Sequence, residues 1–564
     1  MHVRRCPGSI QGCLLLAVSF VFEAALASAQ VAPEILPTGM SITPMAPRGV
    51  EFQTLNPGLP SLPDFKAGMA VTLALSPDGR TLLVLTSGFN QNLDASGNVD
   101  PATSNEYVFA YDVSGRDPAQ AQVLPIQANA FDGLAWRPDG KEFYVSGGHD
   151  DLVHVFTEGS GGWIETSSIP LNHNGVGLGL YGILPVVAGL AVTADGRHLL
   201  AANYENDSVS VVDLGTHSVG SELDLRPGMI DPSENGKAGG TYPYWIVVKG
   251  NDRAYVSSQR DREVDVLDLS PLPALTLIDR IKLPGQPNKM ILDRGGSRLF
   301  VAQDNTDTIA VVDTTSDKIV EEIDTIAPPG VFANAANLKG AGPNGLALST
   351  DETRLYVTNG GTNSVSVIRL GYPGDMEQGS TARTIGLIPT AWYPNAVAAN
   401  RDGSMLYVVN GKSMPGPNPK ACIDAAAVTS DYGNYSCAAT NQYIYQIMHA
   451  GLASFPTPTA SELEALTKQV AENDGFSRPG DEQKDGPVSG SFPRANTRRD
   501  RRMMEFLHQR IHHVLFIVKE NKTYDQVLGD LEAGNGDPDL VALPEVLTPN
   551  HHALARKFVT LDNT

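Results

Sequence analysis

The sequence NGLALSTDETRLYVTNGGTNSVSVIRL, residues 344–370, decides the fold. It contains three short runs in which apolar residues alternate with Ser, Thr or Arg, and the apolar residues that define the three faces are Leu346, Leu348, Leu355, Val357, Val365 and Val367. Alternation with a period of two predicts half-buried strands. Residues 351–353 and 359–363 separate the runs with Asp, Asn and Gly, which favour turns. Such a meander cannot bury its apolar face alone, so it favours the stacking of repeats around a common core.

Seven copies of this pattern occur in the chain. Their first turns are marked by Asp78, Asp139, Asp195, Asn251, Gly295, Asp351 and Asp402. Successive markers lie about fifty residues apart, which leaves room for a fourth strand in each unit and is typical of propeller blades. We therefore predict a mostly β protein with a seven-bladed β-propeller over residues 69–458. The preceding residues 30–68 form a lead-in rich in Pro and Gly, which could add an outer strand.

Residues 356–359 read Tyr-Val-Thr-Asn, and over roughly residues 70–456 the repeats resemble the YVTN family of β-propellers. The resemblance implies blades that close on themselves and so remove exposed sheet edges. It does not name the ligand of the propeller, because one fold carries many functions.

Five polar side chains in the blades are candidates for a binding site. They are His149, Asp150, His154, Asn203 and Tyr204. The pattern favours turn chemistry or a solvated strand face for each of them. A propeller enzyme of the lactonase type would need converging carboxylates, which the sequence does not locate.

The composition argues against one class of partner. The chain has 63 Asp and Glu against 41 Lys and Arg, a net charge of -22. A nucleic-acid surface is therefore not expected, because its affinity would depend on basic residues that neutralise phosphates. The 55 Gly and 39 Pro fit an all-β protein with many turns better than a helical bundle.

The amino terminus has the pattern of a secretory signal. Arg4 and Arg5 precede the apolar residues 13–22, and Ala-Ser-Ala at residues 27–29 is a small-residue cleavage site. We predict a signal peptide over residues 1–29 and a periplasmic or secreted protein, with no transmembrane segment after cleavage. Cleavage leaves Cys422 and Cys437, for which we predict a disulfide in an oxidising compartment. Two free thiols, or half of a metal site, are the alternatives.

The seventh copy is interrupted after Asn410 by an insert that carries both of these cysteines. Residues 441–458 then resume an alternating pattern, which we interpret as the missing outer strands of the seventh blade. An independent hairpin in a linker is the alternative. Thr459 and Glu462 next form a capping box, so we predict a helix over residues 459–474 that packs on the propeller.

Residues 475–510 are polar and are predicted to be a linker, which ends in Arg498, Arg499, Arg501 and Arg502. This basic end could dock on an anionic partner, although a solvated segment is the simpler interpretation. The apolar run 513–518 then predicts a strand buried on both faces of a parallel sheet. Glu520 and Asn521 follow it, where loops of such sheets bind ligands, and their oxygens suit a divalent cation. Asn521 could instead cap the next helix.

The segments KENKTYDQVLGDL (residues 519–531), GNGDPDLV (534–541) and LTPNHHALARKFVTLDNT (547–564) resemble the start of a phosphoesterase family. This family includes phospholipases C and acid phosphatases and is related to alkaline phosphatase. The resemblance implies that Glu520 and Asn521 bind the catalytic metal, whose identity is open, and that the Ser or Thr nucleophile lies downstream of the Leu-Asp-Asn segment. Only Thr564 follows here, so we expect residues 511–564 to be a truncated, inactive domain and assign no catalytic residue.

The leading hypothesis is an exported protein that joins a ligand-binding propeller to the first part of a metal-dependent phosphoesterase acting on phosphate esters. The alternatives are a non-enzymatic binding or scaffold propeller and a propeller enzyme of the lactonase type.

Overall fold

In the computed structural model, the described part of the chain comprises residues 33–36, 38, 40–88, 90–92, 99–127, 129–173, 185–328, 338–371, 382–412, 448–476 and 498–562. Within these residues, thirty strands form seven four-stranded antiparallel sheets and one two-stranded ribbon. The predicted signal peptide, Cys422 and Cys437 lie outside the described residues.

The strands of the lead-in and the first three blades follow the predicted order. The lead-in contains β1 (Glu34–Ile35), β2 (Ser41–Ile42) and β3 (Glu51–Thr54). Blade 1 contains β4 (Ala70–Leu75), β5 (Thr81–Thr86), β6 (Glu106–Asp112) and β7 (Ala119–Ile126). Blade 2 contains β8 (Leu134–Trp136), β9 (Glu142–Ser146), β10 (Leu152–Gly159) and β11 (Gly162–Pro170). Blade 3 contains β12 (Val187–Val192), β13 (His198–Asn203), β14 (Ser208–Asp213) and β15 (Ser218–Asp224).

The short helix α1 (Pro227–Ile230) precedes the remaining four blades. Blade 4 contains β16 (Pro243–Lys249), β17 (Arg253–Ser258), β18 (Glu263–Asp268) and β19 (Thr276–Lys282). Blade 5 contains β20 (Pro287–Leu292), β21 (Arg298–Gln303), β22 (Thr308–Asp313) and β23 (Lys318–Asp324). Blade 6 contains β24 (Pro343–Leu348), β25 (Arg354–Asn359), β26 (Ser364–Arg369) and β27 (Arg383–Pro389). Blade 7 contains β28 (Pro394–Ala399), β29 (Met405–Asn410) and β30 (Gly451–Pro456).

The seven sheets form a closed seven-bladed β-propeller. The inner strand of each blade contacts the inner strands of both neighbouring blades, and the contact between β28 and β4 closes the ring. The prediction of half-buried strands underestimates how far the middle strands are buried. Leu355, Tyr356 and Val357 point alternately to the two faces of β25, and each is at most 2% exposed. The reason is that blades stack face to face, so each middle strand is covered from both sides.

The lead-in supplies the fourth strand of blade 7. The order in this sheet is β28-β29-β30-β3, and β3 pairs antiparallel with β30, with Phe52 opposite Ala453. The prediction of an outer strand in the lead-in is therefore confirmed. The prediction that residues 441–458 supply both missing strands is wrong for the outermost one, because β3 occupies the edge of β30.

The helix predicted after the propeller is present as α2 (Ala460–Asn473). Its capping box is formed by Thr459 and Glu462 as expected. Leu463 and Leu466 are buried against blade 6 and blade 7 residues, in the same apolar cluster as Ile388. The helix therefore covers the outer strand of blade 6.

The region between α2 and the C-terminal residues is not a linker throughout. Residues 498–510 form α3 (Arg498–Arg510), because Arg, Met, Glu, Leu and Gln are good helix formers. Two further helices follow, α4 (Tyr524–Leu528) and α5 (Pro549–Lys557). No helix in the described ranges is both long and apolar enough to cross a bilayer.

The apolar run 513–518 does not form the predicted buried strand. Residues 514–518 are 70% to 94% exposed and do not form a strand. A strand of this kind needs neighbours that supply hydrogen bonds and cover both faces, and none of the described residues pairs with it. The alkaline phosphatase-like sheet is therefore absent from the described residues.

An ion triad joins blade 2 to blade 3. The imidazole of His173 is 3% exposed, and its Nδ1 and Nε2 lie 2.5 Å from Asp151 Oδ1 and 3.1 Å from Glu222 Oε1. Burial lowers the pKa of His173, but the hydrogen bonds and charges of the two carboxylates prevail and raise it to about 9.

The raised pKa of His173 predicts a pH-dependent contribution to stability. The folded protein holds this proton more tightly than the unfolded chain, so the contribution is complete below about pH 6.5 and is lost as the pH rises through about 9. We expect His173→Gln to destabilise the protein by about 1–3 kcal/mol more at pH 6 than at pH 10. Urea unfolding at both pH values measures this, with the exposed His149→Gln as the control. An equal loss at both pH values would contradict the assignment.

Candidate functional site

One position repeats at the inner edge of all seven blades. The backbone N–H groups of Gly133, Trp245 and Gly345 each donate to a hydroxyl on the second strand of their own blade, at 2.8–2.9 Å. The residue before each of these therefore holds the same place beside the central channel. The seven equivalent residues, one from each blade, form a ring around the channel. In the order of blades 1 to 7 they are Val71, Asp132, Ala188, Tyr244, Asn288, Asn344 and Asn395.

Two asparagines of this ring connect neighbouring blades. The Asn344 amide donates to Pro394 O at 3.0 Å, and the Asn395 amide donates to Ala70 O at 2.8 Å across the point of closure. The Pro-Asn pairs that open these inner strands are thus structural, because they satisfy backbone carbonyls at the channel wall.

A lysine crosses the channel just beyond the ring. Lys289 belongs to blade 5, yet its Nζ donates to Val71 O at 2.5 Å and Thr72 Oγ1 at 3.0 Å in blade 1. The same atom lies 3.7 Å from Asp132 Oδ1 of blade 2. Burial lowers the pKa of Lys289, and Asp132 opposes that shift. Because these contacts span opposite sides of the ring, the side chain closes the channel to a ligand at this depth.

Aromatic side chains surround the end of the channel above Asp132. The ring centroids of Phe131, Tyr204 and Tyr244 are 6.2–6.4 Å apart in every pairing, and Tyr242 lies 4.8 Å from Tyr204. All four rings are half-buried. Burial raises the pKa of Tyr244 well above its usual value, and the carboxylate of Asp132 adds to this effect.

Blade 7 contributes Tyr393 to the same end of the channel. Burial raises the pKa of the Tyr393 hydroxyl, and the charges of Asp304 in blade 5 and Asp132 in blade 2 raise it further. Side chains from blades 2, 3, 4 and 7 therefore converge here. We call this region the channel mouth, defined by Phe131, Asp132, Tyr204, Tyr242, Tyr244 and Tyr393.

Two of the channel-mouth tyrosines have an unusual backbone conformation. Tyr242 and Tyr393 have φ values of 55° and 59°, immediately before β16 and β28, and Met69 before β4 has 48°. Left-handed backbone is uncommon for bulky residues and costs about 1–3 kcal/mol. Backbone hydrogen bonds hold the two tyrosines there, from Gln259 N to Tyr242 O and from Gly411 N to Tyr393 O. Gly342 before β24 also has a positive φ, of 60°, so this conformation belongs to the way in which the chain enters several inner strands.

Two cations rest on aromatic rings at the edge of the channel mouth. The Lys412 ammonium lies 4.9 Å from the ring centroid of Trp392 and 5.1 Å from that of Tyr393. The Arg260 guanidinium lies 5.6 Å from the ring centroid of Tyr242. These rings therefore already attract positive charge.

Of the five side chains singled out in the blades, only Tyr204 lies at the channel mouth. Asn203 is buried and donates to Ser208 Oγ and Ser210 Oγ, and Asp150 accepts from the Asn129 backbone and amide. His149 is exposed, and His154 is buried on β10 beside Glu165. These four serve the strands and turns.

Sequence reasoning missed the other aromatic residues of the channel mouth and Lys289. They come from loops and strand starts of different blades, and their proximity depends on ring closure. A signal that could have found two of them is the residue immediately before the inner strand, which is Tyr242 in blade 4 and Tyr393 in blade 7 but Gln286 and Gly342 in blades 5 and 6.

The C-terminal residues predicted to hold a metal are accessible but isolated. Glu520 and Asn521 are both exposed. Among the residues that the structure describes, no group of three or more His, Cys, Asp or Glu could hold an ion. The neighbouring Lys519 Nζ lies 2.6 Å from His551 Nε2.

A separate groove lies between blades 1 and 2, away from the channel. Its volume is about 660 Å³. The lining residues include Arg80, Asp112, Ser114, Gln122 and Trp163. Gln122 is already paired with the backbone of Trp163 in both directions, at 2.7 and 2.8 Å. The groove is therefore largely a consequence of how the β10–β11 hairpin docks on blade 1.

No protein-family model and no curated protein matches the chain. Solved structures give weak matches. Hydrazine synthase of Kuenenia stuttgartiensis has 18% identity and a TM-score of 0.31, over 49% of this chain and 92% of that chain. The WD40 repeats of RRP9 have 11% identity and a TM-score of 0.45, over 74% and 100%. A protein from Lactobacillus plantarum has 15% identity and a TM-score of 0.45, over 62% and 97%. At these values the matches carry no functional argument, and the fold stands on its strand order.

Proposed function

We propose that the propeller is a non-enzymatic binding module that takes a small ligand at the channel mouth. The observation that supports this most strongly is the convergence of half-buried aromatic rings from several blades over one carboxylate, Asp132. Ligand sites are typically concave and aromatic, with few polar groups that fix orientation. Tyrosine suits such a site because it is rigid, with an apolar ring and a polar hydroxyl.

The geometry favours binding over catalysis at this place. Asp132 is already engaged by Lys289 and Tyr244. A lactonase would need several carboxylates that converge on a cation, and the described part of the chain contains no such group. A binding or scaffold propeller is therefore the better supported of these two functions.

A thermal-shift screen with a library of small polar fragments tests the proposal. We expect some fragments to raise the melting temperature of the parent protein and of Ile278→Ala, whose side chain is 45% exposed on β19. Tyr204→Ala should lose the response, because the central ring of the aromatic cluster is removed. Fragments that stabilise Tyr204→Ala as strongly as the parent would contradict the proposed site.

We also propose that the protein is exported and that residues 511–564 belong to a metal-dependent phosphoesterase. The support is the signal-like pattern of residues 1–29 for export and the sequence resemblance of residues 519–564 for the phosphoesterase. The donors present do not fit a metal site by themselves, because Glu520 and Asn521 supply two oxygens and a hard divalent cation takes about six. No hydrolytic step follows from these two residues.

Hydrolysis of an aryl phosphate and a phosphodiester, with added divalent metals, tests the phosphoesterase proposal. Because Glu520 and Asn521 do not complete a metal site, we expect no hydrolysis by the parent or by Glu520→Ala. Metal-dependent activity that disappears in Glu520→Ala would overturn that expectation and give Glu520 a role in metal binding. Equal activity in the parent and in Glu520→Ala would exclude a metal role for this residue.

A further inference from the structure

We propose that the channel mouth takes an organic ammonium ion, that is, a protonated amine attached to an apolar or aromatic body. This inference rests on the proposed function and names the class of its ligand. It is supported by the aromatic surface, by the hydrogen-bond acceptors beneath it and by the charge of the protein.

The aromatic surface already holds cations from the protein itself. Lys412 rests on Trp392 and Tyr393, and Arg260 rests on Tyr242, each with the charge 4.9–5.6 Å from a ring centroid. Deeper in the channel, Lys289 Nζ lies 5.1 Å from the ring centroid of Trp245. The faces of such rings are electron-rich and attract ammonium groups, most strongly where water is excluded. The remaining rings, Phe131, Tyr204 and Tyr244, are half-buried aromatic groups of the same kind.

The ring of seven residues below the aromatic side chains offers hydrogen-bond acceptors rather than free hydrogen-bond donors. Asn288 Oδ1 is shielded from solvent and has no hydrogen-bond partner among the described residues. Asp132, in the same ring, carries a carboxylate that contacts Tyr244 and lies 3.7 Å from Lys289 Nζ, and a carboxylate can accept more hydrogen bonds than these two. An ammonium group donates up to three hydrogen bonds and can satisfy an acceptor of either kind, whereas an ionised carboxylate has no hydrogen to donate to them.

The charge of the protein also favours a cation. The chain has a net charge of -22, and Asp132 and Asp304 both act on Tyr393 at the channel mouth. A negative field raises the local concentration of cations and lowers that of anions. Lys289 is the cation closest to the ring of seven residues, and its ammonium group already donates hydrogen bonds to Val71 O and Thr72 Oγ1.

Isothermal titration with three probes that share one ring tests the inference. The probes are 2-phenylethylammonium, 2-phenylethanol and phenylacetate. We expect the ammonium probe to bind the parent at least about tenfold more tightly than the alcohol or the acid. Asp132→Asn should weaken it by about tenfold or more, because the charged acceptor is lost. Asn288→Ala should weaken it by several-fold, since it removes an acceptor with no partner among the described residues and leaves Asp132 and Lys289 in place.

The outcomes separate the ligand class from the site. If the alcohol or phenylacetate binds as tightly as the amine and Tyr204→Ala abolishes that binding, the ammonium inference is overturned while the channel mouth stands. If the amine binds Tyr204→Ala as tightly as the parent, both are overturned. If none of the three probes binds the parent, the ammonium inference is overturned as well. Ile278→Ala is the matched control and should bind like the parent.

Discussion

Replacing Gly133 by alanine should destabilise the propeller by about 3 kcal/mol or more, which is the cost of forcing atoms into a packed core. A Cβ atom at this position would lie 2.2 Å from Ala188 O on the neighbouring inner strand and 2.8 Å from Ser146 Oγ. Gly189 and Gly345 occupy the same place in blades 3 and 6, with carbonyl oxygens of the next blade at 2.7 and 2.6 Å. Glycine is therefore required wherever the backbone of the next blade approaches this closely.

Urea unfolding of Gly133→Ala beside Gly115→Ala measures this effect. Nothing lies within 4 Å of a Cβ atom placed on Gly115. The control should therefore unfold within about 1 kcal/mol of the parent, or be slightly stabilised. If the two variants are equally stable, the inner strands are not packed as closely as described.

Replacing Arg280 by alanine should destabilise blade 4 by about 3–5 kcal/mol, because it leaves buried carboxylates without their main partner. Arg280 Nη1 donates to Glu263 Oε1 at 2.9 Å and to Asp265 Oδ1 at 2.5 Å, and both carboxylate side chains are 0% exposed. Lys282 also contacts Glu263 and retains part of the compensation.

The loss in Arg280→Ala should depend on pH. Burial raises the pKa of Asp265 to about 7, and the charge of Glu263 adds to the shift. A raised pKa means that the folded state favours the protonated acid, so the unpaired charge is relieved at low pH and is most costly above about pH 7. We expect a larger loss of unfolding free energy at pH 8 than at pH 5.5. Arg116→Ala, whose side chain is 67% exposed, is the control and should show little change at either pH.

The propeller could be predicted from sequence because its strands obey a local rule. Alternation in residues 344–370 and its seven copies predicted the blade count, and the capping box at Thr459 predicted α2. The pairing of β3 with β30 was only suggested, since it joins residues about 400 positions apart and no local pattern selects the partner of an edge strand.

The candidate site could be predicted only in part. Tyr204 was named, but its partners Phe131 and Tyr244 come from blades 2 and 4, and Lys289 reaches blade 1 from blade 5. Such contacts are set by the closure of the ring rather than by neighbours in sequence. The prediction for residues 513–518 failed because it used composition alone. The composition of this run predicts a buried strand, but burial depends on partners that the run itself does not contain.

The most direct test of the channel mouth as the binding site is to soak crystals of the protein with small amine and polar aromatic fragments and to map where they bind. We predict that fragments bind against the exposed parts of Tyr204 and Tyr244 above Asp132, with Lys289 still crossing the channel below them. Fragments that bind only in the groove at Gln122 and Trp163, with none at the channel mouth, would contradict it.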